Sequence, residues 1–268
     1  MTEAEPTMRP QDIILTLGLP AGCRIDQRVP KKLLLENGAP TAADKRLIND
    51  GIEEIQWLAA LKPNNIGVSD YCDDLREYLE IAVLTVTLRG SSDKGEAKST
   101  NTVRLAELVH RAVPYPMLLL LKSGQSVTLS LAHKRWAQNE AGKIVLEGSV
   151  VSVALPDDAP SETVLSAFTQ ALSLTSQPQT TLFDIYQGWI DSVQALLAAR
   201  LTGSFKTADT PEQAAARRQQ LAECERLELE ATRLRALAAK ERQLARQVEL
   251  NLALKRVQTQ LAAARKQL

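Results

Sequence analysis

The stretch that decides the fold class runs from Met117 to Trp136 and reads MLLLLKSGQSVTLSLAHKRW. It opens on a run of five apolar residues, which is typical of a strand that is buried on both faces. A Ser-Gly turn follows, and apolar residues then alternate with polar ones up to His133. Alternation with a period of two indicates a strand with one buried face. The stretch therefore predicts a β-hairpin that belongs to a globular core.

Elements on both sides of this hairpin predict an α+β domain. The β-branched run between Glu80 and Arg89 predicts a strand, and so does the apolar pattern from Lys143 to Leu155. Thr41 is a good helix N-cap, and apolar residues recur at helical spacing from there to Leu61, so one helix is expected over this range. A further helix is expected from Thr102 to Ala112. We therefore expect an α+β fold with a small mixed or antiparallel sheet of about four strands, covered by helices.

The last part of the chain, from Pro211 to Leu268, contains no glycine and no further proline, and it is rich in Ala, Leu, Glu, Gln and Arg. Thr210 followed by Pro211 is a typical helix start. At about 1.5 Å per residue, one helix of this length would extend roughly 85 Å, so it needs a partner along its side. We expect a long C-terminal coiled-coil helix that pairs with a second copy of the chain or with a partner protein.

Apolar residues along this helix form two heptad seams that join near Asn251. A polar residue on such a seam can fix the register or the number of helices. The alternative is that the helix folds back on the chain's own segment from Leu182 to Leu201. The expected interface residues are Leu234, Leu237, Leu244, Val248, Asn251, Leu254, Val257 and Leu261.

These patterns divide the chain into four parts. Residues 1–10 are expected to form a disordered tail, and residues 11–156 the α+β domain. A Pro- and Asp-rich stretch that begins at residue 156 marks the next boundary. We expect residues 157–209 to form a helical connector and residues 210–268 to form the long helix.

Composition argues against several classes of protein. The 32 basic and 32 acidic residues cancel, so no global field attracts nucleic acid or an anionic membrane. Three widely spaced cysteines fit neither a disulfide framework nor a zinc site, and they favour a reducing compartment. The first residues do not have the pattern of a secretory signal, and the longest apolar run is too short to span a bilayer. We therefore expect a cytoplasmic protein that does not insert into membranes.

No motif predicts an active site. Phosphate-binding, dinucleotide-binding and serine-nucleophile motifs are missing, so no cofactor is expected. His110 and His133 are the only histidines, and with three scattered cysteines they do not make a metal site. A metal-dependent nuclease needs carboxylates around a divalent ion and usually a nearby lysine. Asp74 and Glu80 are the best candidates, although no acid–x–Lys step follows on a neighbouring strand.

Two basic groups are candidates for nucleic-acid contact. Arg28 and Lys31 flank a proline-stiffened turn and could contact phosphate; alternatively, Asp26 pairs with Arg28 and only sets the turn. The second group ends the predicted hairpin, where cations can neutralise phosphate and a tryptophan can stack on a base. The alternative is a solvated strand end whose tryptophan covers the rim of the sheet. The residues of this group are His133, Lys134, Arg135 and Trp136.

Several short strings, in order along the chain, resemble one known family. They are Asp26–Lys31, Ile55–Leu58, Leu61–Pro63, Arg111–Pro116, His133–Arg135 and Val248–Asn251. From about Asp12 to Leu261 the chain is similar to the bacterial proteins catalogued as domain of unknown function 4391. The resemblance implies genes that neighbour helicase-type ATPases and DNA methyltransferases, and hence an accessory role in restriction-like or phage-defence loci. It brings no catalytic residues.

Three functions remain open from the sequence. The first is a non-enzymatic accessory or adaptor subunit of a DNA-processing complex, which binds a helicase-type ATPase, a DNA methyltransferase or a second copy through its C-terminal helix. The second is a nucleic-acid-binding module that contacts DNA directly. The third is a metal-dependent nuclease that uses Asp74 and Glu80.

Overall fold

The computed structural model describes residues 10–89, 95–124, 126–138, 140, 142–155 and 161–268. The tail expected over residues 1–10, apart from Pro10, and the Pro- and Asp-rich boundary at 156–160 lie outside the described residues. The chain divides into two compact units, the first ending at Val193 and the second running from Gln194 to Leu268. We refer to them as the sheet domain and the helical unit.

The described residues form eight strands and nine α-helices. The strands are β1 (Arg24–Arg28), β2 (Ile52–Leu61), β3 (Tyr71–Cys72), β4 (Glu77–Tyr78), β5 (Ile81–Leu88), β6 (Met117–Ser123), β7 (Ser126–Trp136) and β8 (Ile144–Leu155). The helices are α1 (Pro10–Thr16), α2 (Lys31–Asn37), α3 (Ala42–Gly51), α4 (Pro63–Ile66), α5 (Gly95–Ala112), α6 (Glu162–Leu172), α7 (Leu182–Thr202), α8 (Pro211–Lys240) and α9 (Leu244–Arg265).

The main sheet has six strands in the order β1-β2-β5-β6-β7-β8. Only β5 and β6 are parallel, and α5 connects them; the other neighbours are antiparallel. The predicted α+β class, the mixed sheet and the β6–β7 hairpin are therefore confirmed. The predicted number of about four strands is wrong, because β1 and β2 add to one edge. A separate two-stranded sheet joins β3 and β4.

The single helix expected between Thr41 and Leu61 is also wrong. The Thr41 side chain does cap α3, accepting a hydrogen bond from the Asp44 amide, but α3 ends at Gly51 and the chain continues as β2. The pairing of β2 with β5 is irregular on both sides of Ile55, between residues 52 and 54 and between residues 57 and 59. Each irregularity interrupts the two-residue alternation. The buried residues of β2 consequently recur at intervals that imitate a helix.

Strand β1 forms an exposed edge of the sheet. All five of its residues are exposed, and its pairing with β2 shifts between Arg24 and Gln27. Asp26 lies in this shift with a φ of 49°, in the left-handed region that residues other than glycine rarely adopt. Charged residues and irregular pairing on an edge discourage a further strand from adding to it.

The core of the sheet domain lies between the sheet and helices α2, α3 and α5. Leu84, Leu119 and Leu108 belong to this buried cluster. Gly38 follows α2, and a Cβ there would come within 2.5 Å of the Leu108 carbonyl oxygen, so the backbone approach to α5 requires glycine. The Tyr186 hydroxyl of α7 accepts a hydrogen bond from the Ala132 amide at 2.9 Å and donates to the Met117 carbonyl at 2.8 Å.

In the helical unit, the chain after Pro211 forms two helices, so the single helix predicted for this region is wrong. Helix α8 ends at Lys240, and α9 begins at Leu244 after three residues. The Glu241 carboxylate accepts hydrogen bonds from the Arg242 and Gln243 amides. It therefore satisfies backbone donors just before α9, as a capping side chain does. No glycine or proline marks this break.

Helices α8 and α9 pack side by side in antiparallel orientation. We call this helix pair the hairpin, and we always name the β-hairpin by its strands, β6–β7. Arg265 near the end of α9 pairs with Glu228 of α8 at 2.7 Å, whereas Gln247 near its start donates to the Ala238 carbonyl at 3.4 Å. The buried positions of α8 recur at intervals of three and four residues, as in Cys224, Leu227, Ala231, Leu234 and Ala238. This seam packs within the chain. Cys224, Leu227 and Ala264 are its buried cluster, joined by Leu201, Val257, Leu261 and Leu268.

Candidate functional site

The four residues predicted to form a nucleic-acid edge all lie in β7, where side chains alternate between the two faces of the sheet. Lys134 is only 3% exposed, and its ammonium donates a hydrogen bond to the Val113 carbonyl after α5. His133 points to the opposite side and contacts α7. The predicted set therefore does not share one surface. Nucleic-acid contact by His133, Arg135 and Trp136 stays a prediction.

Lys134 has a buried histidine near it. Burial lowers the pKa of Lys134 to about 7. His110 of α5 is fully buried, and its Nε2 lies 3.0 Å from the Ser130 hydroxyl of β7. Burial first, and then the charge of Lys134, hold the pKa of His110 well below its usual range. His110 Nδ1 has no hydrogen-bond partner among the described residues. The ammonium of Lys134 therefore places an unfavourable charge inside the core, next to a neutral His110.

His133 takes part in a chain of hydrogen bonds on the other face of the sheet. Gln187 donates its amide N–H to Asp191 at 2.8 Å, which leaves its Oε1 to accept from His133 Nε2, also at 2.8 Å. His133 Nδ1 therefore acts as the acceptor of the Tyr78 hydroxyl, at 2.5 Å. Tyr78 is fully buried, and burial raises its pKa far above the usual value.

Aromatic and charged side chains surround this histidine. The Phe183 ring stacks on His133 with a centroid distance of 5.3 Å, and Tyr71 stacks on Phe183 at 4.8 Å. The Arg76 guanidinium lies 5.6 Å from the centre of the same Phe183 ring and donates two hydrogen bonds of 2.6 Å to Glu147 of β8. Arg76 thereby lowers the pKa of Glu147. Because these polar groups bind one another, the cluster anchors β3 and β4 to β8 and α7.

A pocket of about 470 Å³ lies beside β1, and we call it the edge pocket. It brings together Arg28 and Lys31, which the sequence proposed as phosphate contacts, and adds Arg89, which follows β5. Burial lowers the pKa of Lys31, and the charges of Arg89 and Arg28 lower it further. Lys31 is thus close enough to Arg89 and Arg28 to be repelled by both. The rest of the wall consists of Val29, Pro30, Glu53, Glu54 and Ile55.

The two carboxylates considered for a nuclease have other surroundings. Glu80 is buried and pairs with the Lys62 ammonium at 2.9 Å, which raises the pKa of Lys62. Asp74 is exposed in the turn between β3 and β4. Within the described ranges, no three His, Cys, Asp or Glu side chains are grouped so that they could hold a metal ion.

The predicted interface residues divide into two sets on the hairpin. Leu234 is buried, and Val257 and Leu261 pack against the buried seam; Leu254 is partly buried. The remaining four, Leu237, Leu244, Val248 and Asn251, are exposed. Leu252, which the sequence did not single out, is exposed as well.

A family model described as "Domain of unknown function (DUF4391)" matches residues 17–261. The chain belongs to this family. The matched range includes residues of both the sheet domain and the hairpin. No curated protein and no solved structure showed a significant match. Over the part of the chain that the structure describes, no helix has the length and apolar character needed to cross a membrane.

Sequence reasoning missed several residues that structure brings together. The sequence contains only a weak signal that Arg89 belongs to a site, namely that this cation directly follows a buried strand. The end of that strand pairs with β2. Tyr78, Phe183 and Gln187 have none, because their cluster forms between segments more than fifty residues apart.

Proposed function

We propose that this protein is a non-enzymatic accessory or adaptor subunit of a bacterial DNA-processing complex, of the restriction-like or phage-defence kind, and that it acts in the cytoplasm. An apolar stripe on α9, formed by Leu244, Val248 and Leu252, is the observation that supports this best. These side chains stand four residues apart, so they lie on one side of the helix, and they are 75, 49 and 54% exposed. Contiguous exposed apolar side chains are typical of a protein interaction site.

The charges of α9 define the kind of surface that would cover this stripe. The helix carries four basic residues and one acidic residue. Lys255 and Arg256 follow Leu252 by three and four residues, so they continue the same side of the helix. A partner surface that combines apolar side chains with acidic groups would complement both features. We expect a helicase-type ATPase or a DNA methyltransferase to carry it, with a second copy of this chain as the other candidate.

The test is co-expression of the full chain with the helicase-type ATPase or the methyltransferase of its own locus, followed by size-exclusion chromatography with light scattering. Wild type should elute with one of them. A double variant, Val248→Glu with Leu252→Glu, should lose the partner by at least about tenfold in affinity, because two carboxylates then face an acidic surface.

The matched control is Gln258→Glu with Gln260→Glu, which adds the same charge at two exposed positions of the same helix. It should bind as wild type does, and circular dichroism should report equal helix content in all three proteins. The adaptor role fails if wild type elutes alone at 29.4 kDa in every mixture, or if the stripe variant binds as strongly as the control.

The two alternative functions have less support. A nucleic-acid-binding module built on β7 loses its central cation, because Lys134 faces the core. A nuclease built on Asp74 and Glu80 loses a carboxylate, because Glu80 is paired with Lys62.

A further inference from the structure

We propose that the edge pocket binds the phosphate group of a nucleotide-sized ligand, and that Arg28, Lys31 and Arg89 hold that phosphate. The inference uses residues of the sheet domain alone, so it is tested separately from the adaptor role. Its basis is the convergence of three cations on one concave surface, two from the turn at residues 28–31 and the third from Arg89, which is distant in sequence.

Backbone contacts fix the segments that carry these cations. The Val29 amide, next to Arg28, donates to the Ile55 carbonyl at 2.9 Å, and the Arg89 amide donates to the Gly51 carbonyl at 2.8 Å. The Lys31 ammonium donates to the Ile52 carbonyl at the start of β2. The backbone beside Arg28, the backbone of Arg89 and the ammonium of Lys31 are therefore held by the same half of β2 or by the residue before it. A preorganised set of donors binds an anion without first being assembled.

The side chains that line the pocket carry more positive than negative charge, which favours the binding of an anion. Three cations face two carboxylates, Glu53 and Glu54. Arg28 and Glu54 are 3.5 Å apart, and their side chains are 74 and 48% exposed, so water screens this pair and little free energy is lost when Arg28 changes partner. Among the described residues, the Arg89 guanidinium has no carboxylate within ion-pair distance. A phosphate bearing one or two negative charges would relieve the repulsion that Lys31 experiences from Arg28 and Arg89.

The size and the wall of the pocket indicate more than a bare phosphate. Its volume of about 470 Å³ lies within the usual range for small-molecule sites. Val29 and Pro30 supply accessible apolar surface to the wall. A sugar or base attached to the phosphate would cover these residues. Two sources share this chemistry, a free mononucleotide and one nucleotide of a nucleic-acid strand.

The experiment measures binding of three probes to the full chain, namely inorganic phosphate, adenosine monophosphate and a fluorescein-labelled single strand of DNA. Arg89→Gln should weaken binding about tenfold, because a charge-assisted hydrogen bond is lost. For the DNA strand, the slope of log affinity against log salt should also fall by about one. Lys32→Gln is the control, since Lys32 adjoins Lys31 but is exposed, pairs with Glu36 and does not line the pocket.

A gain-of-binding variant protects the test from a misfolded protein. Glu54→Gln removes the carboxylate that competes for Arg28 and should strengthen binding several-fold, which a damaged fold would not do. Binding of adenosine monophosphate that is lost in Arg89→Gln identifies a free nucleotide as the ligand. Binding of the strand alone, lost in the same variant, identifies nucleic acid. The proposal is overturned if wild type binds none of the probes, binds only inorganic phosphate, or binds no better than Arg89→Gln, or if Lys32→Gln weakens binding equally.

Discussion

The sheet domain and the hairpin depart from the ordinary distribution of polar and apolar residues in opposite directions. The sheet domain buries ionisable groups, with Lys134 and His110 inside its core, whereas the hairpin leaves Leu244, Val248 and Leu252 in solvent. Buried lysines and exposed apolar stripes are both uncommon in monomeric proteins. A buried charge lowers the stability of the unit that contains it. An exposed stripe leaves that unit stable and gives it a surface for another molecule.

The largest effect is expected in the core of the sheet domain. Leu108→Ala removes a fully buried side chain of α5 and should lower the free energy of unfolding by about 3 kcal/mol, through lost burial and the cavity left behind. Val103→Ala, on the same helix but half exposed, should change it by less than about 0.5 kcal/mol. Urea titrations followed by tryptophan fluorescence measure both. Equal effects would mean that α5 does not cover this core.

The buried lysine offers the opposite result, a stabilising substitution. Lys134→Met keeps the aliphatic length and removes the desolvation cost of the ammonium, so the free energy of unfolding at pH 7 should rise by roughly 2 kcal/mol. Lys122→Met, at an exposed position of neighbouring β6, is the control and should have little effect. A Lys134→Met variant less stable than wild type would show that the hydrogen bond to the Val113 carbonyl outweighs the cost of burial.

The pH dependence of stability follows from the same lysine. Its pKa is about 7 in the folded protein and 10.5 when exposed, so between these values the unfolded chain binds more protons. The contribution of Lys134 to stability should therefore rise as the pH increases from about 7 towards 10.5, and the free energy of unfolding of Lys134→Met should lack this contribution when it is compared with wild type at each pH. His110 affects the free energy of unfolding at pH values below this range. Its lowered pKa means that stability falls as the pH drops below 6.5.

The part of the fold that sequence predicted well is the part with regular periodicity. The β6–β7 hairpin, the strand β8 and the Thr41 N-cap all follow from local patterns. Strand β2 could not be predicted from a local pattern. Its irregular pairing with β5 puts two residues three positions apart, Ile52 and Ile55, into the core. Three-residue spacing is the signal of a helix. Only pairing with β5, a long-range event, distinguishes the two structures.

The helical unit and the candidate site show a second limit. A heptad pattern states which side of a helix is apolar but not whether its partner lies in the same chain, so the break at Glu241 was not predictable from periodicity. In β7, the sequence grouped His133 and Lys134 because they are adjacent. Adjacent residues in a strand point to opposite faces of the sheet. His133 therefore joins the aromatic cluster, whereas Lys134 enters the core.

The smallest expected effect is the coupling energy between Arg265 and Glu228. It distinguishes the hairpin of α8 and α9 from a single helix. Arg265 and Glu228 are 37 residues apart, which corresponds to roughly 55 Å along one continuous helix, yet their side chains meet at 2.7 Å. A double-mutant cycle with alanine at both positions should give a coupling energy of about 0.5 kcal/mol at low salt, and less at 1 M salt, because the pair is partly exposed. The cycle for Arg233 and Glu230, which are three residues apart on α8, is the reference, since it should give a similar value in either arrangement. Coupling in the reference pair together with none between Arg265 and Glu228 would contradict this contact between α8 and α9 and would favour one rod over residues 211–268. The seam that includes Leu227 and Ala264 would then lack an intramolecular partner, and a second chain would have to bury it.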